Sequence, residues 1–260
     1  MTRALVVLVA AGLLGWPFEV AGGVLIVEKT TSADAPPQTQ QVQIDRDWMR
    51  VEHVMGGEKS AFVFDGVKQV VWIVNYDRKT YHEMTKADVD GMGTQMSNAM
   101  AQMQEQLKTL PPDQRAMVEN MMKGRMAGAG APVQKTVYRK VGTDRVGRWT
   151  CDKYEGYLNN QKTSELCTVD PAVLGFVASD FEVSRKLAEF LRKLVPQTSD
   201  NVFSIGKVED QGFSGVPVRR VFTMGQRQST TETTEVTRQT FPPSIFAVPA
   251  GFTKKALGER

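Results

Sequence analysis

The sequence predicts an α+β domain: a curved antiparallel sheet with helices against one face. Two stretches, 24–85 and 135–240, consist largely of short strand-like runs broken by turn residues. Between them the apolar residues change to a helical period. No linker-like segment divides the chain, so 24–260 reads as one domain with a helical insertion at 86–127.

The first 23 residues stand apart. Arg3 gives a positive start, Ala4 to Phe18 form an apolar run of 15 residues, and Val20-Ala21-Gly22-Gly23 offers the small residues of a cleavage site. Pro17 and Glu19 stop the run short of the roughly 20 residues a spanning helix needs. The segment reads as a cleaved signal peptide. With no cysteine near the cleavage site, the expected product is a periplasmic protein without a lipid or transmembrane anchor.

From Val24 the strands come in order. Val24–Thr31 is the first, and Ala35-Pro36-Pro37 is expected to interrupt the chain. Gln40–Ile44 and Trp48–Val54 flank the turn Asp45-Arg46-Asp47, and Gly56-Gly57 leads into Ala61–Asp65. Gln69–Asn75 and Thr80–Met84 close this meander. Thr85 and Asp88 then form a capping-box-like helix start. Met92, Met96, Met100, Met103, Leu107 and Leu110 recur at spacings of 4, 4, 3, 4 and 3, one helical stripe that Pro111-Pro112 ends. A second helix from Asp113 carries Met117, Val118, Met121 and Met122, completing a helical hairpin.

Strands resume at Lys135–Val141, Trp149–Tyr157 and Gln161–Val169. A third helix fits Asp180–Val195, with Ser179 as N-cap and Pro196 as stop. Val202–Glu209, Gly215–Met224 and Thr230–Thr240 follow, the last so rich in Thr, Glu and Arg that it must be an edge or the wall of a wet cavity. The apolar run Ile245–Phe252 closes the chain.

The two cysteines, Cys151 and Cys167, flank Asn159-Asn160, a hairpin turn signal. A hairpin centred there places the sulfurs opposite one another, within reach of a disulfide that would stabilise the fold by roughly 3 kcal/mol. An exported location favours its formation.

Composition excludes some functions and selects none. A net charge of +3, with bases and acids interspersed, gives no electrostatic footprint for nucleic acid. The chain has no nucleophile elbow, no phosphate-binding loop, no dinucleotide fingerprint and no HExxH, so neither catalysis nor a cofactor is expected. Alternation puts Met49, His53 and Met55 on one face of their strand, and His82 and Met84 on one face of theirs. If those faces coincide, the thioethers and imidazoles could surround a soft metal such as Cu(I).

Nine of the 13 methionines fall between Met84 and Met126. A stripe with this spacing is first of all a packing face. Methionine in place of leucine lowers packing specificity, however, and a flexible thioether surface suits varied apolar ligands or a partner helix.

Several segments resemble the exported bacterial family known as domain of unknown function 4412. They are Trp48-Met49-Arg50-Val51-Glu52, Val63-Phe64-Asp65, Lys79-Thr80-Tyr81-His82-Glu83-Met84-Thr85, Leu110-Pro111-Pro112-Asp113-Gln114-Arg115-Ala116-Met117 and Thr150-Cys151-Asp152-Lys153-Tyr154-Glu155. The ending Val248-Pro249-Ala250-Gly251-Phe252 is similar to that of periplasmic lipoprotein carriers of the LolA, LolB and LppX kind. This second resemblance implies a half-barrel whose concave face is covered by the Met-rich hairpin and the third helix and holds acyl chains. On that basis Met92, Met96, Met100, Met103, Leu107, Met117 and Met121 are the expected lid over an apolar ligand or lipid. The alternatives are a copper-handling protein using His53, His82 and Met84, or a module that docks an envelope protein.

Overall fold

Apolar and polar residues alternate along strand after strand, and among the described residues the result is one open sheet of twelve strands. The computed structural model describes residues 22–109, 136–192, 212–225 and 227–259, together with 111, 114 and 194. The expected signal segment up to residue 21, the second helix of the hairpin (except residue 114) and the strand expected at 202–209 lie outside the described residues.

The strands are β1 (Gly23–Ser32), β2 (Ala35–Asp45), β3 (Trp48–Met55), β4 (Glu58–Asp65), β5 (Val70–Asn75) and β6 (Thr80–Thr85). After helix α1 (Lys86–Thr109) come β7 (Val137–Val146), β8 (Trp149–Leu158) and β9 (Gln161–Val169). Helix α2 (Glu182–Leu191), β10 (Val216–Met224), β11 (Arg227–Gln239) and β12 (Thr253–Lys255) complete the described elements. Their order in the sheet is β12-β6-β5-β4-β3-β2-β1-β11-β10-β9-β8-β7. Every pairing is antiparallel except that of β12 with β6.

The sheet is strongly curved. β3 and β9 lie five strand spacings apart in this order, about 24 Å across a flat sheet. Yet Val51 of β3 and Leu166 of β9 border the same cavity. The face they share is therefore the concave one. Register aligns Val24, Ile44, Met49 and Phe64 across it, and Val183, Leu187 and Phe190 of α2 are buried in the same cluster. Phe64 and Phe190 meet with ring centroids 5.5 Å apart.

The opposite face is covered by the C-terminal segment. Phe241 and Phe246 are buried there with Ala61, Val63 and Val74, and Phe246 stacks on Trp48 with centroids 6.0 Å apart.

Two local expectations change, and a third is resolved between its alternatives. Ala35-Pro36-Pro37 belongs to β2 and does not interrupt the chain. Proline lacks an N–H, but β3 pairs with β2 only from Gln40 onward and a register irregularity falls opposite, between Thr30 and Ser32. The Thr-rich β11 is no edge, since it pairs with both β1 and β10, and Thr233 and Val236 make it a cavity wall. Finally, 178–181 is a 3-10 turn, so Ser179 is not the N-cap of α2. The Asp180 carboxylate instead accepts from the Val177 N–H at 2.7 Å and pairs with Arg238.

The disulfide forms between Cys151 and Cys167, both buried, with Cα atoms 5.4 Å apart. It crosses the hairpin diagonally, because Cys167 stands opposite Lys153 after a register shift at Gly156/Tyr157. The turn is the expected one, with Asn159 and Asn160 both left-handed at φ 51° and 61°.

Candidate functional site

A cavity of about 260 Å³ sits on the concave face, just below the ~300–1,000 Å³ usual for small-molecule sites. Ile26, Val42 and Val51 form one wall, while Leu166, Val216 and Val236 form the other. Leu174 and Phe176, from the loop before α2, border it together with Phe213. These walls are apolar because alternation in each strand directs the aliphatic set to the concave face. Phe222, 48% exposed, also lines it.

Polar groups interrupt this lining at defined places. Glu28 follows Val24 and Ile26 on the inward face of β1, next to a bulge between Val27 and Glu28, and is only 6% exposed. One of its carboxylate oxygens pairs with the Arg220 guanidinium, and the other accepts from Gln40 Nε2 at 2.5 Å. A carboxylate this buried is tolerable only when paired in this way. Among the described lining residues the charged ones are Glu28 and Arg220, whose formal charges cancel. Ser184, on the buried side of α2, also lines it, and its Oγ is buried with no hydrogen-bond partner among the described residues.

The α1 residues singled out from sequence lie elsewhere. Met92, Met100, Met103 and Leu107 are half-buried on α1, Met96 is 36% exposed, and none of them lines this cavity. The buried residue of α1 is Val89. Met117 and Met121 lie outside the described residues.

The strand faces bearing His53, His82, Met49 and Met84 do coincide in register. However, β3 and β6 are three strands apart, about 14 Å, so the two imidazoles are not brought together. Each has its own contact: His53 Nε2 lies 3.2 Å from Ser60 Oγ, and His82 Nδ1 lies 2.8 Å from the Ala256 carbonyl. Met49 is buried and borders the cavity, whereas the Met55 side chain is outside those described. Among the described residues no group of three His, Cys, Asp or Glu side chains could hold a metal ion. None of their helices is long and apolar enough to cross a membrane.

Sequence reasoning missed Glu28, Gln40, Arg220 and Ser184. Two of them carried a legible signal. Glu28 is the one acid in step with Val24 and Ile26, and Ser184 lies on the helical face of Leu187 and Leu191. Arg220 and Gln40 become meaningful only once the strand order sets β10 and β2 on either side of the β1–β11 pair.

The sequence model of a family described as "Domain of unknown function (DUF4412)" matches residues 65–252. No curated protein matches the chain. Among solved structures, the chain is similar to an uncharacterized conserved protein from Thermus thermophilus, with TM-score 0.46 and 11% identity, covering 91% of each chain. It is similar to PNGF-II with TM-score 0.35 and 9% identity, covering 91% of this chain but 31% of that one. A LolA superfamily protein from Nitrosomonas europaea aligns with TM-score 0.31 and 10% identity, over 87% of this chain and 89% of that one.

Proposed function

The chain belongs to the DUF4412 family, described as a domain of unknown function, and from that premise we propose an exported, non-enzymatic protein that binds a lipid, an acyl chain or another apolar ligand. The observation that carries this reading is the concave cavity, with aliphatic and aromatic walls and few polar groups. Such a lining supplies affinity through apolar area removed from water, roughly 25 cal/mol per Å². It supplies little shape discrimination, so the ligand class is broad. The methionine stripe of α1 is not needed for the reading, which rests on the strands and on the loop before α2. Export is supported by the signal-like start at 1–23.

The test is native mass spectrometry, with organic extraction, of full-length protein expressed with its own N-terminal segment and recovered from the cell envelope. Bound apolar mass in stoichiometric amount is the expected result, along with a mature N-terminus near Val24. Protein that is consistently empty and does not take up a neutral hydrophobic dye would overturn the proposal.

A further inference from the structure

We infer that the ligand of this cavity is a neutral amphiphile, an apolar chain bearing an uncharged hydroxyl, ester or amide group, and not a fatty acid or another anion. The inference rests on the binding reading above and names the chemistry of its ligand.

Ser184 is the first ground. The residue is 2% exposed, lines the cavity, and leaves Oγ without a partner among the described residues. A hydroxyl both donates and accepts, and buried polar atoms in folded proteins are nearly always paired. A polar atom on a bound molecule would complete this one. An alkane could not, so the ligand is apolar in bulk but not throughout.

The charge arrangement is the second ground. Among the described residues that line the cavity, Glu28 and Arg220 carry the charges and are paired to each other, with Gln40 on the second carboxylate oxygen. An anionic head would have to lose water beside Glu28, and the Arg220 guanidinium is already committed to that carboxylate. An uncharged head meets no such opposition. Bonding one guanidinium nitrogen to Glu28 leaves Arg220 further N–H donors for a carbonyl or hydroxyl oxygen.

Competition experiments on the full mature chain decide the matter. The reporter is N-phenyl-1-naphthylamine, displaced by 1-decanol or by decanoate at about pH 8, where the carboxylic acid is fully ionised. The expected result is that 1-decanol displaces the dye at a concentration at least about tenfold lower than decanoate does. Ser184→Ala should weaken 1-decanol about fivefold while raising the unfolding midpoint of the empty protein, opposite changes that a purely structural serine would not give. Glu28→Gln frees Arg220 and should move the preference toward decanoate. Equal displacement by the two ligands, or a Ser184→Ala protein that binds 1-decanol as before, would overturn the head-group inference and leave the apolar-ligand reading standing. Displacement by neither, or no uptake of the dye, would overturn both.

Discussion

Arg50 Nη1 donates to the Ile245 carbonyl at 2.9 Å, tying β3 in the middle of the sheet to the C-terminal segment on its convex face. Arg50 is 5% exposed, and its guanidinium also reaches Tyr76 Oη at 2.7 Å and Glu52 at 2.5 Å. Burial alone would raise the Glu52 carboxyl, but hydrogen bonds from Lys59 and Arg50 outweigh it and hold it below its ordinary value. Arg50→Met removes one partner of each bond and leaves Glu52 with Lys59. It should cost about 3 kcal/mol, or roughly 6–12 °C in a chain of this size. Thermal unfolding checks this, and an unchanged midpoint would mean the Phe241 and Phe246 contacts hold the segment without the arginine.

The Cys151–Cys167 bond closes the β8–β9 hairpin within the main buried cluster, its ends 16 positions apart. The chain-entropy argument gives it about 3 kcal/mol. Urea unfolding with and without reductant should differ by that amount in the wild type. In a Cys151→Ala/Cys167→Ala variant the two curves should coincide. A reductant effect that survives in the variant would show that the bond is not its source.

At the start of α1, the Thr85 hydroxyl donates to Asp88 Oδ2 at 2.6 Å, and the Thr85 N–H donates to the same oxygen at 2.8 Å. These two bonds hold the Asp88 carboxyl below its ordinary value, the side-chain bond more than the backbone one. Thr85→Ala should reduce stability by about 1 kcal/mol, seen as a loss of helical ellipticity at lower temperature.

Glu83 behaves in the same sense, lowered first by Lys254 and then by the Trp72 indole N–H. Both carboxyls are depressed in the folded state, so their stabilisation is complete above the unfolded carboxylate pKa of about 4 and is lost as pH falls through the lower folded values. Acid titration should therefore loosen β12 from β6, because Lys254 Nζ bonds Glu83 at 2.6 Å. In Glu83→Gln this acid-dependent change should vanish, which amide exchange at 253–255 would report.

Much of this fold is legible in the sequence, because local rules dominate where they agree. Alternation locates the strands of the meander, Asn159-Asn160 locates a turn, and Thr85 with Asp88 locates a helix start. The sequence falls short where a residue's role depends on strand order. Pro36 and Pro37 read as a break because nothing local says that one side of β2 is unpaired there. The Thr-rich β11 reads as an edge or a cavity wall until its two neighbours are known. The cavity was the least visible feature, since Arg220 joins the Glu28–Gln40 pair from 192 positions further along the chain than Glu28. The methionine stripe, conspicuous in composition, marks a helix with one buried residue, Val89.

Val236→Phe tests whether the concave space is a site or merely loose packing. Val236 lies on β11 opposite Ile26, is 8% exposed, and lines the cavity. Phenylalanine suits a strand, and its ring would extend into unoccupied volume where a smaller side chain now stands. Filling a void usually adds about 0.5–2 kcal/mol, so the variant should be as stable as the wild type or more so. Its response to ligand should differ, however. Anything that binds only the folded state raises the unfolding midpoint in proportion to the logarithm of its concentration, and 1-decanol should do so for the wild type. In the variant, with the space taken, the same additions should leave the midpoint where it was. A variant that still responds would place the ligand elsewhere on the molecule. One destabilised by more than about 1–3 kcal/mol would show instead that the ring is overpacked and the space was never free.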